Sequence, residues 1–220
     1  MPTRRKRKKG KKTGEVPFPK TQILGLVHYA QDLFLRLFQG VVMEKHIIMD
    51  EKAIARTLTR LAHEISEKEG DLSNVVLVGI RKGGEYVAAR VSESLLSCVG
   101  EKTEHAGIDI TLKRDDLVSA FFVPEYTENK LPFSIDGKTV VLCDDVLHTG
   151  RTVRAAIETL FTLGRPKKVL LLELIDRGGR QLPIRADFVG KNVPTSKSEH
   201  VEVFFKEEGA KEDKILIVKK

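Results

Sequence analysis

Two adjacent aspartates, Asp144 and Asp145, end an apolar run and precede a short polar loop in VVLCDDVLHTGRT, residues 140–152. Carboxylates accept hydrogen bonds from sugar hydroxyls and also suit hydrated Mg²⁺. The loop supplies hydroxyls, a glycine and backbone N–H groups where a helix is predicted to begin, and such a helix N-terminus binds phosphate. The stretch therefore predicts a sugar-phosphate site, with the acids on vicinal hydroxyls and the loop on the phosphate.

By itself, the aspartate pair is also compatible with a structural role, because acidic residues commonly end strands in α/β proteins. Neighbouring side chains of an extended backbone point to opposite sides, so Asp144 and Asp145 are not expected to form one close carboxylate dyad. They suit several hydroxyls or a metal hydration shell instead. They are the nearest candidates for contact with a metal ion, although no direct protein ligand is assigned.

The elements around this stretch predict an α/β domain over residues 43–220. Apolar runs without polar alternation are typical of strands buried on both faces, and helical stretches separate them. The predicted strands are residues 74–80, 138–146 and 167–176, and the predicted helices are residues 50–69, 83–96 and 150–164. This alternation implies a parallel central sheet flanked by helices, with ligands at the carboxyl ends of the strands. Residues 200–205 and 214–220 predict a C-terminal β-hairpin.

The net charge of +7 is concentrated at the N-terminus, since residues 1–14 contain eight Lys or Arg and no acid. Residues 1–42 are predicted to form a basic extension that is disordered or loosely helical, and its apolar part is a poor membrane span. Translation from Met43, with the preceding residues as a leader, is an open alternative. Two cysteines without metal or disulfide spacing favour a protein of the reducing cytoplasm. No membrane partner is expected, because the apolar part of the extension is a poor span.

Residues 140–152 resemble the phosphoribosyl pyrophosphate (PRPP) motif of type I phosphoribosyltransferases: an apolar run, two acids and a loop ending in T-G-x-T or a close variant. With LVGIRKGGEYVAARV, IDITLKRDDL and LPIRADFVGKNVPTSKSE, the chain from about Lys45 onward resembles the PyrR family. Those proteins are bifunctional pyrimidine-operon attenuation regulators and uracil phosphoribosyltransferases. The resemblance implies the type I phosphoribosyltransferase fold, the cofactor Mg²⁺, and the reaction of uracil with PRPP to give UMP and pyrophosphate.

The resemblance also assigns residues to the parts of PRPP. Asp144 and Asp145 are implied to bind the ribose, and they form the catalytic set with Arg114, which lies on a loop expected to close over the site. The implied PRPP-binding set is Val140, Asp144, Asp145, Val146, Leu147, His148, Thr149, Gly150, Arg151 and Thr152. The implied pyrophosphate loop is Arg81, Lys82, Gly83 and Gly84. Here the family usually has an Arg-Gly pair, as in T-R-G, so catalysis or PRPP affinity is expected to be weak unless Arg81 compensates.

For the base, the resemblance implies stacking by Phe188, pairing with the backbone at Val189, and a nearby Arg177. A plain core position for Phe188 is an equally good interpretation. Two departures from the family pattern, His148 in place of a common tyrosine and Gly179 in place of a common histidine, leave the substrate preference open.

The predicted helix at residues 50–69 has two faces. At 100° per residue, Ile54, Leu58, Leu61 and Ile65 form an apolar stripe, and the opposite side contains Arg56, Thr59, Arg60 and His63. Any amphipathic helix has a polar face, but positions that match Thr59, Arg60 and His63 bind messenger RNA in the PyrR family. The resemblance thus implies an mRNA leader as partner, UMP-dependent binding, and a homo-oligomer, either a dimer or larger.

Two other functions remain open on the sequence. The first is a nucleotide-sensing RNA regulator without useful turnover, which the Lys82-Gly83-Gly84 stretch motivates. The second is a salvage phosphoribosyltransferase that acts on another base and has no RNA role.

Overall fold

The computed structural model describes residues 45–111 and 129–219. The extension 1–42, the alternative start at Met43 and the predicted closing loop with Arg114 lie outside these residues. The domain boundary after residue 42 therefore stays a prediction. In the described part of the chain, no helix has both the length and the apolar character needed to span a bilayer.

Within those ranges the chain forms three α-helices and eight strands. The helices are α1 (Glu51–Glu69), α2 (Gly83–Val99) and α3 (Arg151–Leu163). The strands are β1 (Lys45–Asp50), β2 (Val75–Ile80), β3 (Glu104–Ile108), β4 (Thr139–Leu147), β5 (Lys168–Asp176), β6 (Phe188–Asn192), β7 (Glu199–Phe204) and β8 (Lys214–Lys219). All three predicted helices and all three predicted buried strands are present, so the predicted order of elements is confirmed.

The main sheet has five parallel strands in the order β3-β2-β4-β5-β6. Strand β4 lies at its centre, between β2 and β5. The carboxyl end of β4, where the two aspartates lie, is therefore flanked by the carboxyl ends of two neighbouring strands. This is the place where open α/β sheets bind ligands.

A second sheet of three antiparallel strands has the order β1-β8-β7. Strands β7 and β8 form the predicted C-terminal hairpin, with a short 3₁₀ turn at Lys206–Glu208 after β7. Strand β1 was not predicted, and it pairs with β8 from Lys45 opposite Val218 to Asp50 opposite Lys214.

Helix α1 begins at a capped N-terminus, where the Asp50 carboxylate accepts a hydrogen bond of 2.7 Å from the Ala53 N–H. It ends before Gly70, whose N–H donates to the Ser66 carbonyl oxygen. Its buried residues are Ile54, Leu58, Leu61, Ala62 and Ile65, which confirms the predicted apolar stripe.

The apolar core lies on both faces of the main sheet. Helices α1 and α2 cover one face, together with residues of the second sheet, and α3 covers the other. Cys143 lies in the first of these layers and is a free, buried thiol, as expected for a small apolar residue.

Candidate active site

A cavity of about 1080 Å³ opens at the carboxyl ends of the central strands. Asp144 and Asp145 from β4 line it together with Arg81, Lys82 and Gly83, which follow β2. The residues predicted to hold ribose and pyrophosphate thus lie around one space, although 60 residues separate the two segments. Strand pairing brings them together, because β2 and β4 are hydrogen-bonded neighbours.

A second, smaller cavity of about 400 Å³ is formed by the loop between β4 and α3. The two cavities share Asp144, Val146 and Thr152. In the loop, Gly150 has φ of +89°, a conformation that favours glycine and turns the backbone into the first turn of α3. The Arg151 N–H donates to the Thr149 hydroxyl at 3.3 Å. This pocket, at the start of a helix of 13 residues, has the backbone geometry expected of a phosphate site.

The glycines after β2 are required by close packing on β4. A Cβ atom at Gly84 would lie 2.3 Å from the Cys143 carbonyl oxygen, and one at Gly83 would lie 2.3 Å from Asp145 Oδ2. Position 83 is where the T-R-G pattern places its arginine. The departure noted in the sequence therefore lies directly against the second aspartate of the motif.

Arg81 is already paired within the cavity. Its Nε donates to Glu85 Oε2 at 3.1 Å, one helical turn further along. Its cationic group is therefore partly neutralised before any anion binds, which limits the compensation expected of it.

Glu173 lies beside the aspartate pair and was not predicted from the sequence. It is on β5, directly opposite Asp144 in the β4–β5 register, and it is fully buried. Neither of its carboxylate oxygens has a hydrogen-bond partner. The available signal in the sequence was one acid within the otherwise apolar run KVLLLELID. Only the β4–β5 register shows that this acid lies opposite Asp144.

Burial shapes the protonation of these acids. It raises the pKa of Glu173 well above the ordinary value, and the nearby Asp144 and Asp145 add to this increase. Burial also raises the pKa of Asp145, against the opposing effect of backbone hydrogen bonds. Ionising all three carboxyl groups in one desolvated region would cost much free energy, because each negative charge lacks solvation and repels the other two. The site therefore favours a bound cation or a retained proton.

The charge of the larger cavity fits a divalent cation that arrives with an anionic substrate. Its lining contains five acidic residues and two basic ones: Glu85, Asp109, Asp144, Asp145 and Glu208 against Arg81 and Lys82. Among the described residues, no group of three or more His, Cys, Asp or Glu side chains could hold a metal ion. The arrangement suits Mg²⁺, which commonly binds through one or two carboxylates, water and substrate oxygens.

The residues predicted for the base are placed differently from one another. Phe188 is only 3% exposed, packs in the core below α1, and has Lys68 Nζ 5.0 Å from its ring centre. This is the core alternative, and the position does not favour stacking on a base. Val189 is half-buried on the opposite side of β6, in the sheet layer that faces α3.

Arg177 holds the loop between β6 and β7. It donates to the Thr195 hydroxyl at 3.0 Å and to the Glu199 carbonyl oxygen at 2.8 Å. Neither Arg177 nor Val140 lines the two cavities; Val140 is fully buried in β4. These two predicted ligand residues therefore lie away from both cavities, and Phe188 and Val189 are also outside the two linings.

Helix α1 presents Arg56, Arg60 and His63 to solvent and leaves Thr59 half-buried, with its hydroxyl donating to the Ala55 carbonyl oxygen. Arg60 does more than face outward. Its Nη2 donates to the Val189 carbonyl oxygen at 3.1 Å and to the Gly190 carbonyl oxygen at 2.6 Å. The polar face predicted for RNA is therefore attached to the strand predicted to pair with the base.

Comparison with known proteins decides the family. Residues 46–208 match the phosphoribosyl transferase domain family. A bifunctional protein PyrR from Clostridioides difficile is 51% identical over 162 residues, which is 74% of this chain and 92% of that protein. The chain belongs to the PyrR family. A second PyrR, from Pelotomaculum thermopropionicum, is 48% identical over 79% of this chain and 96% of its own length.

Solved structures show that this chain has the type I phosphoribosyltransferase fold. A hypoxanthine phosphoribosyltransferase of Trypanosoma cruzi superposes with a TM-score of 0.59, at 20% identity, over 79% of this chain and 95% of that one. A hypoxanthine phosphoribosyltransferase from Staphylococcus aureus gives 0.53 at 21% identity, over 70% and 79% of the two chains. At this identity the likeness concerns the fold, and it confirms the predicted architecture.

Two departures of this chain from the family pattern are in contact. A Cβ atom at Gly179 would lie 2.8 Å from His148 Nε2, so the His148 ring fills the space beside the residue that lacks a side chain. Arg180 joins the same two loops by donating to the His148 carbonyl oxygen at 2.9 Å and pairing with Asp176. Burial, followed by the charges of Arg177 and Arg180, lowers the pKa of His148. The two substitutions thus form one local change.

Proposed function

We propose that this protein performs its two activities at two connected places: nucleotide chemistry at the carboxyl end of β4, and RNA binding on the outer face of α1. The carrying observation is the cavity in which the aspartate pair, the loop before α3 and the residues after β2 meet. The protein is a pyrimidine-operon regulator and a uracil phosphoribosyltransferase by family. The substrate set is PRPP, uracil and UMP, and the RNA partner is an mRNA leader.

In the transfer reaction, uracil displaces pyrophosphate from C1 of PRPP. Asp144 and Asp145 accept hydrogen bonds from the ribose hydroxyls, and the backbone from Thr149 to Thr152 binds the 5′-phosphate. Lys82 and the backbone at Gly83 face the pyrophosphate. The catalytic gain comes from alignment of the reactants and from stabilisation of the departing charge. Arg114, outside the described residues, is proposed to complete the pyrophosphate contacts when its loop closes.

Mg²⁺ is the proposed cofactor, and Asp144 and Asp145 are the residues nearest to it. Bound with PRPP, it would neutralise the pyrophosphate and shield it from the acidic lining. The chain itself contributes the excess of carboxylates that makes the cavity unfavourable for a bare polyanion. This predicts that PRPP binds as its magnesium complex.

RNA recognition is proposed for Arg56, Thr59, Arg60 and His63. The part of the chain after residue 14 is close to neutral in net charge, so bulk electrostatics would not hold an RNA. Arginine side chains concentrated on one helix face can contact phosphates and unstacked bases of a hairpin loop. A dimer or larger homo-oligomer, proposed for the cytoplasm, would present two such faces.

A second candidate is a UMP-sensing regulator with little turnover. The favouring observations are the Arg81–Glu85 pair and Gly83 against Asp145, which leave Lys82 as the unpaired basic residue of the pyrophosphate loop in the larger cavity. In that case the cavity would bind UMP and control RNA affinity without efficient synthesis.

One set of assays separates these functions. The protein is incubated with PRPP, Mg²⁺ and either uracil, hypoxanthine or guanine, and nucleotide products are quantified by chromatography. RNA affinity for a transcript of the pyrimidine-operon leader is measured with and without UMP. Uracil turnover together with UMP-enhanced RNA binding is expected. UMP binding without turnover favours the sensor, and turnover of hypoxanthine or guanine alone contradicts the proposal.

A further inference from the structure

One guanidinium joins the outer face of α1 to the backbone of β6. Arg60 donates two hydrogen bonds through Nη2, to the carbonyl oxygens of Val189 and Gly190, and its Nη1 pairs with Glu64. The Arg60 side chain is still 46% exposed. The same group is therefore accessible to a partner in solution and bonded to the strand whose backbone, by the family resemblance, is implied to pair with uracil.

The rest of the α1–β6 contact is closely packed, so a displacement of the β6 backbone would also displace α1. A Cβ atom at Gly190 would lie 2.9 Å from the Thr57 methyl group, so the strand backbone packs directly on the helix. At the last turn of α1, Lys68 pairs with Asp187 at 2.8 Å and lies over the Phe188 ring. Residues just before and within β6 are thus attached to α1 at three successive places, and Arg60 is the attachment nearest to the polar face.

We propose that Arg60 is a positioning residue that couples base binding on β6 to RNA binding on α1. The inference rests on the proposed function, in which the α1 face contacts RNA, and on the role that the family resemblance implies for the Val189 backbone, which is to pair with uracil. Hydrogen bonds from a charged donor fix the orientation of the Val189 and Gly190 peptides more strongly than neutral ones would. With these peptides fixed, the edge presented to uracil has a defined orientation.

The donor count of the guanidinium allows both partners at once. Arginine has five N–H donors, and the contacts to Val189, Gly190 and Glu64 engage three of them. The others can bind an RNA phosphate while β6 is held. A nucleotide that orders β6 therefore also orders Arg60, which reduces the side-chain entropy that RNA binding must overcome. The coupling is positive, and linkage requires RNA to strengthen nucleotide binding by the same factor.

The first test is kinetic and needs no RNA. Arg60→Ala is expected to raise the KM for uracil about fivefold to tenfold, as for loss of a charge-assisted hydrogen bond, with kcat and the KM for PRPP changed by less than about twofold. Arg60→Lys should behave like Arg60→Ala, because an ammonium lacks the fork that spans two carbonyls. An unchanged uracil KM in Arg60→Ala would overturn the inference.

The matched control for this test is Arg154→Ala. Arg154 is 42% exposed and pairs with Glu158 four residues along α3, so the substitution removes an exposed arginine with the same kind of ion pair. It is expected to leave the uracil KM unchanged. A rise equal to that of Arg60→Ala would mean that the effect is a general loss of stability, and would also overturn the inference.

The second test measures the factor by which UMP strengthens binding of the leader transcript. Arg60→Ala should lower RNA affinity and bring that factor close to one, whereas Arg56→Ala should lower RNA affinity and keep the factor. Retention of the factor in Arg60→Ala overturns the coupling. Should the unmodified protein fail to bind the transcript, the proposed RNA function fails, while the uracil KM still decides whether Arg60 positions β6.

Discussion

The carboxyl end of β4 and the α1–β6 contact are built in opposite ways. At the end of β4, the acids and the phosphate loop come from one run of 13 residues, and the segment that follows β2 adds the predicted pyrophosphate contacts. At the α1–β6 contact, Arg60 bonds to a carbonyl 129 residues away. A contiguous motif carries its geometry in its own backbone, so the first region is recognisable in sequence. The second exists only through the fold.

The largest expected effect concerns the first region. Asp145→Asn should lower kcat/KM for UMP formation by about a hundredfold or more, because charge-assisted hydrogen bonds to the ribose are lost while the fold is kept. Steady-state kinetics with PRPP and uracil measures this effect.

Glu158→Gln on the exposed side of α3 is the control and should have normal kinetics. If Asp145→Asn also retained full kcat/KM, the contiguous motif would not form the catalytic site. The comparison of a catalytic motif at β4 with a fold-dependent contact at α1–β6 would then be wrong.

A smaller effect is expected at Glu173, which the neighbouring strand β5 places opposite Asp144. Burial and the nearby Asp144 and Asp145 raise the pKa of Glu173 in the folded state, which favours its protonated form there, whereas the unfolded chain releases the proton near an ordinary value of about 4.3. Above that pH the folded state holds more protons, so the free energy of unfolding falls as pH rises toward the folded pKa, by up to about 1.4 kcal/mol per pH unit.

Glu173→Gln should flatten this dependence, and Glu173→Leu should also raise stability at pH 8 by about 1–3 kcal/mol, since it removes a buried polar group without a partner. Urea unfolding from pH 5 to pH 8 measures both. Parallel pH profiles for the unmodified protein and Glu173→Gln would show that Glu173 ionises alike in the folded and unfolded states.

The smallest effect tests the contact between two loops: the loop after β4, which contains His148, and the loop after β5, which contains Gly179. Gly179→Ala should cost about 1–2 kcal/mol of stability, since Gly179 has φ of +75° and the new methyl group would meet His148. The double variant with His148→Ala should recover the part due to the contact and keep the part due to φ. Full additivity of the two substitutions in thermal unfolding would show that the loops are not in contact.

Within the main sheet, the strands that were predicted and those that were missed differ in position. Strands β2, β4 and β5 lie inside the main sheet and have continuous apolar sequences, which local patterns reveal. Strands β3 and β6 are the edges of that sheet, and β1 is an edge of the other. Their sequences EHAGI, FVGKN and KHIIMD are short or polar, as is common at edges, and they are strands because a neighbour pairs with them.

The candidate site shows the same division. The aspartate pair and the loop before α3 were predicted from their own residues. Glu173 required the β4–β5 register, and Arg180 and the two carbonyl bonds of Arg60 required loops and strands to meet in space. For Phe188, the sequence left core and stacking positions open, and only packing below α1 distinguishes them.

The pairing of β1 with β8 brings the two ends of the described fold within one strand spacing, with Lys45 opposite Val218. In a chain without residues 1–44, a few added residues could connect them, so that new ends could be opened in an exposed turn such as the one between α3 and β5. Such a circular permutant would retain every strand pairing of both sheets. We expect such a permutant to fold, which would mean that the order in which the ribosome delivers these segments is not a requirement of the folded protein.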